Sequence, residues 1–147
     1  MHVRQAVPGD AEALFRLNAA FNGEGLGTAA HIERSLREGR EIVCIAELDG
    51  EAAGFCCAQV TSSMCYMSPV GEITELYVRD SARRRGLARR LVRLAEQLCT
   101  ARGAEELHLL TGRDNAAARA LYASLGYAAD DEVHYVRSPD ADGLSID

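Results

Sequence analysis

The chain has 147 residues, 48% of them hydrophobic and 26% charged, with a net charge of −6, as expected of one soluble domain with a real core. No apolar run approaches ~18 residues and the start, Met1-His-Val-Arg-Gln, has no signal-peptide hydrophobic region, so neither a membrane span nor a secretory leader is expected. All sixteen basic residues are arginine, which excludes a lysine Schiff base and a Walker-type phosphoryl-transfer lysine.

Residues 2–7 alternate and stop at Pro8-Gly9, which predicts a strand and a turn. Asp10 is placed to cap a helix carrying Ala13, Leu14, Leu17, Ala20 and Phe21 on one face. A glycine-rich loop over residues 22–27 ends it, and Thr28 opens a short second helix that closes near Gly39. Residues 41–48 and 51–61 flank Asp49-Gly50, a type I′ hairpin signal. Residues 62–69 read as a loop, and the next strand is expected over residues 71–78. In that strand Ile73 and Leu76 are three apart, and a β-bulge near Thr74-Glu75 would bring both onto one face with Val78.

Leu87, Leu91, Leu94, Ala95 and Leu98 share a stripe, predicting a helix over residues 86–102 that Gly103 stops. A strand is expected over residues 106–111, a helix over 115–125 ended by Gly126, and a last strand over 132–137. The fold class is therefore α/β (α+β) with a mixed sheet whose first half is antiparallel. One domain is expected over residues 1–137, followed by an acidic tail, 138–147.

The five cysteines, 44, 56, 57, 65 and 99, are odd in number and contain no C-x-x-C. A disulfide framework and a zinc site are not expected, no metal is called for, and a cytoplasmic setting fits. Cys44, Cys56 and Cys99 lie in apolar runs and read as buried hydrophobes, whereas Cys65 lies in a loop.

The densest chemistry lies at Arg83-Arg84-Arg85-Gly86-Leu87-Ala88-Arg89-Arg90. Residues 79–93 hold seven arginines and one acid, a local charge of +6, which leaves −12 for the rest. A glycine turn between a strand and a helix N-terminus gathers backbone N–H groups and the positive end of the helix dipole. Arginines around it add bidentate contacts suited to phosphate. One compact basic patch on an acidic chain points to a small polyanionic ligand. It does not point to nucleic acid, which needs a broad basic face. The plain alternative is a solvated arginine face.

Arg83-Arg84-Arg85-Gly86-Leu87-Ala88 resembles the pyrophosphate signature [Gln/Arg]-x-x-Gly-x-[Gly/Ala] of the GNAT superfamily of acetyl-coenzyme A-dependent N-acetyltransferases. The run Glu75-Leu76-Tyr77-Val78 is similar to the family's strand that pairs with pantetheine. Asn115, Ala118, Leu121, Tyr122, Leu125, Gly126 and Tyr127 match its later motif. The resemblance spans the chain up to the tail. It implies a splayed central sheet flanked by helices, and acetyl-coenzyme A as cosubstrate without a metal. The cofactor would be held by Leu76, Tyr77, Val78, Arg83, Arg84, Arg85, Gly86, Leu87, Ala88, Arg89 and Asn115.

By the same resemblance Tyr122 is the general acid for the departing thiolate; half-buried packing is its plain alternative. Glu75, at the expected bulge, is the first candidate base and Glu72 the second, and both would otherwise shape an acidic pocket or face solvent. The stretch Leu107-His108-Leu109-Leu110-Thr111 has no acid, unlike that of some family members. His108 and His134 read as structural. The acidic remainder suits a small cationic acceptor of polyamine or aminoglycoside type, with a link to antibiotic modification. Peptide or protein N-acetylation and a non-catalytic coenzyme A sensor stay open. No nucleic acid or membrane partner is expected, and a homodimer is left open.

Overall fold

The computed structural model describes residues 1–138. It divides into two compact units, Met1–Asn115 and the stretch from Ala116 onward. Residues 139–147, most of the expected tail, lie outside the described residues.

In the first unit the elements are β1 (His2–Gln5), α1 (Ala11–Asn22), α2 (Ala29–Glu38), β2 (Ile42–Leu48), β3 (Glu51–Thr61), β4 (Val70–Val78), α3 (Leu87–Ala101) and β5 (Glu106–Leu109). The sheet order is β1-β2-β3-β4-β5. The first three pairings are antiparallel, and β4–β5 is parallel. This is the mixed sheet that the element order predicts.

Local chemistry sets the boundaries. The Thr28 hydroxyl accepts the His31 N–H at 3.1 Å and starts α2, and Gly39 ends it in a left-handed conformation with φ 65°. Asp49 and Gly50 have φ of 54° and 83°, the two positive values a type I′ turn needs. One face of the sheet carries α1, with Leu14 and Leu17 packed on Val43, Ile45 and Phe55. The other carries α3, which buries Leu87, Leu91, Val92, Ala95 and Cys99. Leu94 and Leu98, expected in that stripe, sit only half-buried at its margin.

A three-residue ionic contact ties β1 to α1 and β2. The Arg4 guanidinium reaches both carboxylate oxygens of Asp10 at 2.7 and 2.8 Å and Glu47 at 2.6 Å. Asp10 also accepts the Val7 N–H at 2.7 Å. The Arg4 hydrogen bonds hold the Asp10 carboxyl below its ordinary range. The lowered value means that this stabilisation is intact above the unfolded carboxyl's pKa of ~3.9 and is lost as pH falls through the folded value. Asp10→Ala should cost about 1.5–3 kcal/mol, read as a lower urea midpoint at pH 7. The gap between variant and wild type should close on acidification below ~pH 4. Equal midpoints at pH 7 would contradict this role.

The second unit contains α4 (Ala116–Ser124). Leu125 is buried after its end, and Gly126 turns the chain with φ 97°. The expected strand over residues 132–137 is not formed: the described residues there have no regular structure, and Tyr135 is 87% exposed. Their alternation is real, but alternation names a face and supplies no hydrogen-bonding neighbour.

Candidate active site

The site is built around β4. Ala58 pairs with Ile73 and Cys57 with Glu75, so Thr74 is one extra residue on β4. This is the expected bulge. It places Ile73, Leu76 and Val78 together toward α3, since their partners on β3 are Ala58, Cys56 and Gly54. It also places Glu72 and Glu75, three apart, together on the opposite face, opposite Gln59 and Cys57. Without the bulge these two acids would point to opposite sides of the sheet.

The same segment marks the point where β4 and β5 part. Their parallel register runs from Val70–Glu106 to Ile73–Leu109 and ends there. Residues 74–78 continue past the end of β5, which stops at Leu109 rather than at the expected residue 111. The backbone of Leu76, Tyr77 and Val78 therefore lies along an opened seam. A strand edge of this kind can pair with an extended, amide-bearing ligand.

The chain then enters the arginine loop. A short 3-10 turn, Asp80–Ala82, precedes it. Arg84 takes φ 62° and Gly86 φ 79°, and Gly86 occupies the N-cap position of α3 without a side-chain cap. The first N–H groups of a helix have no acceptor within it, and here they open toward a loop carrying exposed Arg84, Arg85, Arg89 and Arg90. Arg83 is held differently: its Nε donates to the Val78 carbonyl at 3.1 Å and its guanidinium meets Asp80 at 2.9 Å. It fastens the loop to the end of β4. Arg79 is drawn to Glu51 at 3.3 Å. Leu87 is fully buried and anchors the helix start, with Ala88 beside it half-buried.

On the α1 and α2 side, the face that bears Glu75 also bears Tyr77, whose ring stacks on Phe21 at 5.1 Å. Glu75 is half-buried and Glu72 exposed. A residue that the sequence reading passed over joins them. Glu41, just before β2, lies within electrostatic reach of the Cys57 thiol, Glu75 and His31. Desolvation raises its proton affinity. It lines a hollow of about 370 Å³ with Ser35, Glu38, Arg40, Gln59, Val60 and Thr61. Sequence offered one weak signal, an acid heading an apolar strand. The thiol opposite it depends on the strand register.

The cysteines divide as expected, with Cys44, Cys56 and Cys99 buried and Cys65 exposed. Burial pushes the thiols of Cys44 and Cys56 up, Cys44 to about 12, so neither is a nucleophile at neutral pH. No cluster of metal-ligating side chains occurs among the described residues. His108 is exposed and contacts Glu106 at 2.6 Å.

In the second unit Tyr122 is half-buried on α4. Its ring lies 6.0 Å from Tyr127 in a T-shaped contact, and its carbonyl accepts the N–H groups of Leu125 and Tyr127 at 3.0 Å. Asn115, at the end of the first unit, donates its N–H to the Gly112 carbonyl at 3.0 Å.

A bulged strand thus leaves its parallel neighbour and is followed by a glycine-capped helix behind an arginine loop. The model of the Acetyltransferase (GNAT) family matches residues 11–127, and the chain belongs to that family of N-acetyltransferases. It is 33% identical over 142 residues to the uncharacterized N-acetyltransferase YhfO of Bacillus subtilis (strain 168), covering 92% of this chain and 95% of that one. It is 29% identical over 96 residues to the aminoglycoside N(6')-acetyltransferase type 1 of Salmonella typhimurium, covering 63% and 66%. Among solved structures, AAC(6')-Iy in complex with the bisubstrate analog CoA-S-monomethyl-acetylneamine aligns over 95% of this chain and 98% of that one, at 26% identity and a TM-score of 0.81.

Proposed function

We propose that this N-acetyltransferase moves the acetyl group of acetyl-coenzyme A directly to a primary amine of a small cationic molecule, of aminoglycoside or polyamine type. The observation that carries this reading is the pairing of two features on β4. One is the open seam along residues 74–78 leading into the Gly86 helix start, and the other is the acidic face bearing Glu72 and Glu75. The likeness to the aminoglycoside enzymes supports the choice of acceptor.

In this reading the pyrophosphate meets the backbone N–H groups from Arg84 to Arg89, with Arg84, Arg85 and Arg89 adding charge. The pantetheine arm pairs with the backbone of Leu76, Tyr77 and Val78, and Asn115 completes the cofactor contacts. An alkylammonium of pKa ~10.4 costs roughly 4–5 kcal/mol to deprotonate at pH 7, so Glu75, with Glu72 behind it, serves as base. Attack forms the C–N bond and breaks C–S. Tyr122, a phenol near pKa ~10, protonates a thiolate whose acid lies near ~8.5. We place the reaction in the cytoplasm, in a domain spanning residues 1–137.

Gly86→Glu tests the phosphate site. A Cβ at Gly86 meets nothing within 4 Å, so the damage comes from the left-handed backbone and the added negative charge. Calorimetry should show acetyl-coenzyme A binding weakened by about tenfold or more, corresponding to ~1.4 kcal/mol. Unchanged affinity would remove the loop from the cofactor site.

A further inference from the structure

We infer that Glu41 is a further catalytic carboxylate, working with Glu75 as a proton-accepting pair for the incoming ammonium group. The assignment rests on the acetyl-transfer reading above and names a residue that the family motifs leave out.

Three observations bring Glu41 to the chemistry. The first is register: Cys57 faces Glu75 across β3 and β4, and Val43 faces Cys57 across β2 and β3. Val43 and Cys57 pack on the α1 and α2 side, and Glu41, two residues before Val43, continues that row. The second is proximity: the Glu41 carboxylate lies within electrostatic reach of both the Cys57 thiol and Glu75. The third is access: Glu41 lines the hollow of about 370 Å³, so a small amine can reach it.

The electrostatics suit a base. Desolvation raises the proton affinity of Glu41, the Cys57 thiol lowers it, Glu75 raises it and His31 lowers it. The other charged side chains around the hollow are Glu38 and Arg40, and Glu72 lies opposite Gln59 on its rim. A half-buried carboxylate with raised proton affinity accepts a proton more readily than a solvated one. Cys57 itself is desolvated and stays a thiol, its pKa pushed well up, so it takes no part as nucleophile.

The step balances with these groups. The ammonium passes one proton to the Glu41–Glu75 pair, which releases it to solvent, and the neutral amine attacks the thioester carbon. The adduct loses its second N–H proton as the C–S bond breaks. The thiolate takes one proton from Tyr122, and the phenolate recovers the proton that the nitrogen gave up. Amide, coenzyme A thiol and one free proton result.

The test is the pH profile of kcat/KM for amine acetylation, compared among wild type, Glu41→Gln, Glu75→Gln and Cys57→Ala, with acetyl-coenzyme A affinity as a control for folding. Glu41→Gln should lower kcat/KM at pH 7 by tenfold or more and leave cofactor affinity unchanged. Cys57→Ala removes a neighbouring thiol that favours the ionised carboxylate, so the acidic limb of the profile should move to higher pH. A merely structural contact would leave that limb in place. Activity of Glu41→Gln within twofold of wild type, with the limb unmoved in Cys57→Ala, overturns the role of Glu41 and leaves the acetyl-transfer reading standing. Failure of wild type to acetylate any amine in a panel of polyamines, aminoglycosides and peptides overturns both.

Discussion

Tyr122→Phe should lower kcat by ~10²–10⁴, the range typical of losing a general acid, while acetyl-coenzyme A affinity and thermal stability stay near wild type. Ring and hydroxyl play separate parts. The ring of Tyr122 is half-buried and meets Tyr127 edge-on at 6.0 Å, a contact that phenylalanine keeps. The backbone carbonyl that closes α4 is also unaffected. Only the phenolic hydroxyl, and with it the transferable proton, is removed. A thiolate then leaves unprotonated, or takes a proton from water that is not positioned for it. Pre-steady-state mixing with saturating amine isolates the chemical step. Near wild-type turnover in that measurement would return Tyr122 to a packing role.

Gly54→Ala should destabilise the fold by about 3 kcal/mol, with acetyl-coenzyme A binding weakened alongside. Gly54 lies opposite Val78, where β3 and β4 approach closely. A Cβ built there would stand 2.5 Å from the Tyr77 carbonyl oxygen and 3.1 Å from Val78. The first neighbour is backbone and cannot rotate away, so the strands must separate. Overpacking of this kind typically costs 1–3 kcal/mol, occasionally more, and a rigid backbone neighbour puts Gly54 at the upper end. The displaced residues, Tyr77 and Val78, are two of the three on which the proposed pantetheine contacts depend. Denaturant unfolding checks the stability, and an unchanged midpoint would show that the sheet yields at this point without cost.

Much of the fold was legible because local chemistry agreed with the tertiary result. Asp49-Gly50 needs two positive φ angles and adopts them. Thr28 and Gly39 bracket α2 with side-chain and left-handed caps. The three-residue spacing of Ile73 and Leu76 anticipated the bulge at Thr74. Where the sequence reading failed, the deciding partner was remote. Val133 and Tyr135 alternate like a strand, yet the described residues 132–137 form none. Glu41 reads as an ordinary polar strand start. Its desolvation and its nearness to the Cys57 thiol depend on the β2–β3 register. Arg83 shows the reverse case: its motif position suggests a ligand contact, while its side chain is engaged by the Val78 carbonyl and Asp80.

The central claim is acetyl transfer to a small cationic amine. Its most direct test is release of coenzyme A thiol, followed with a thiol reagent, when the protein and acetyl-coenzyme A are mixed with polyamines, aminoglycosides or peptides bearing free N-termini. Mass spectrometry of the products identifies the acetylated group. Thiol release that depends on a polyamine or an aminoglycoside, with a matching mono-acetylated product, is the predicted result. Release with peptides alone, or with no amine at all, would contradict it.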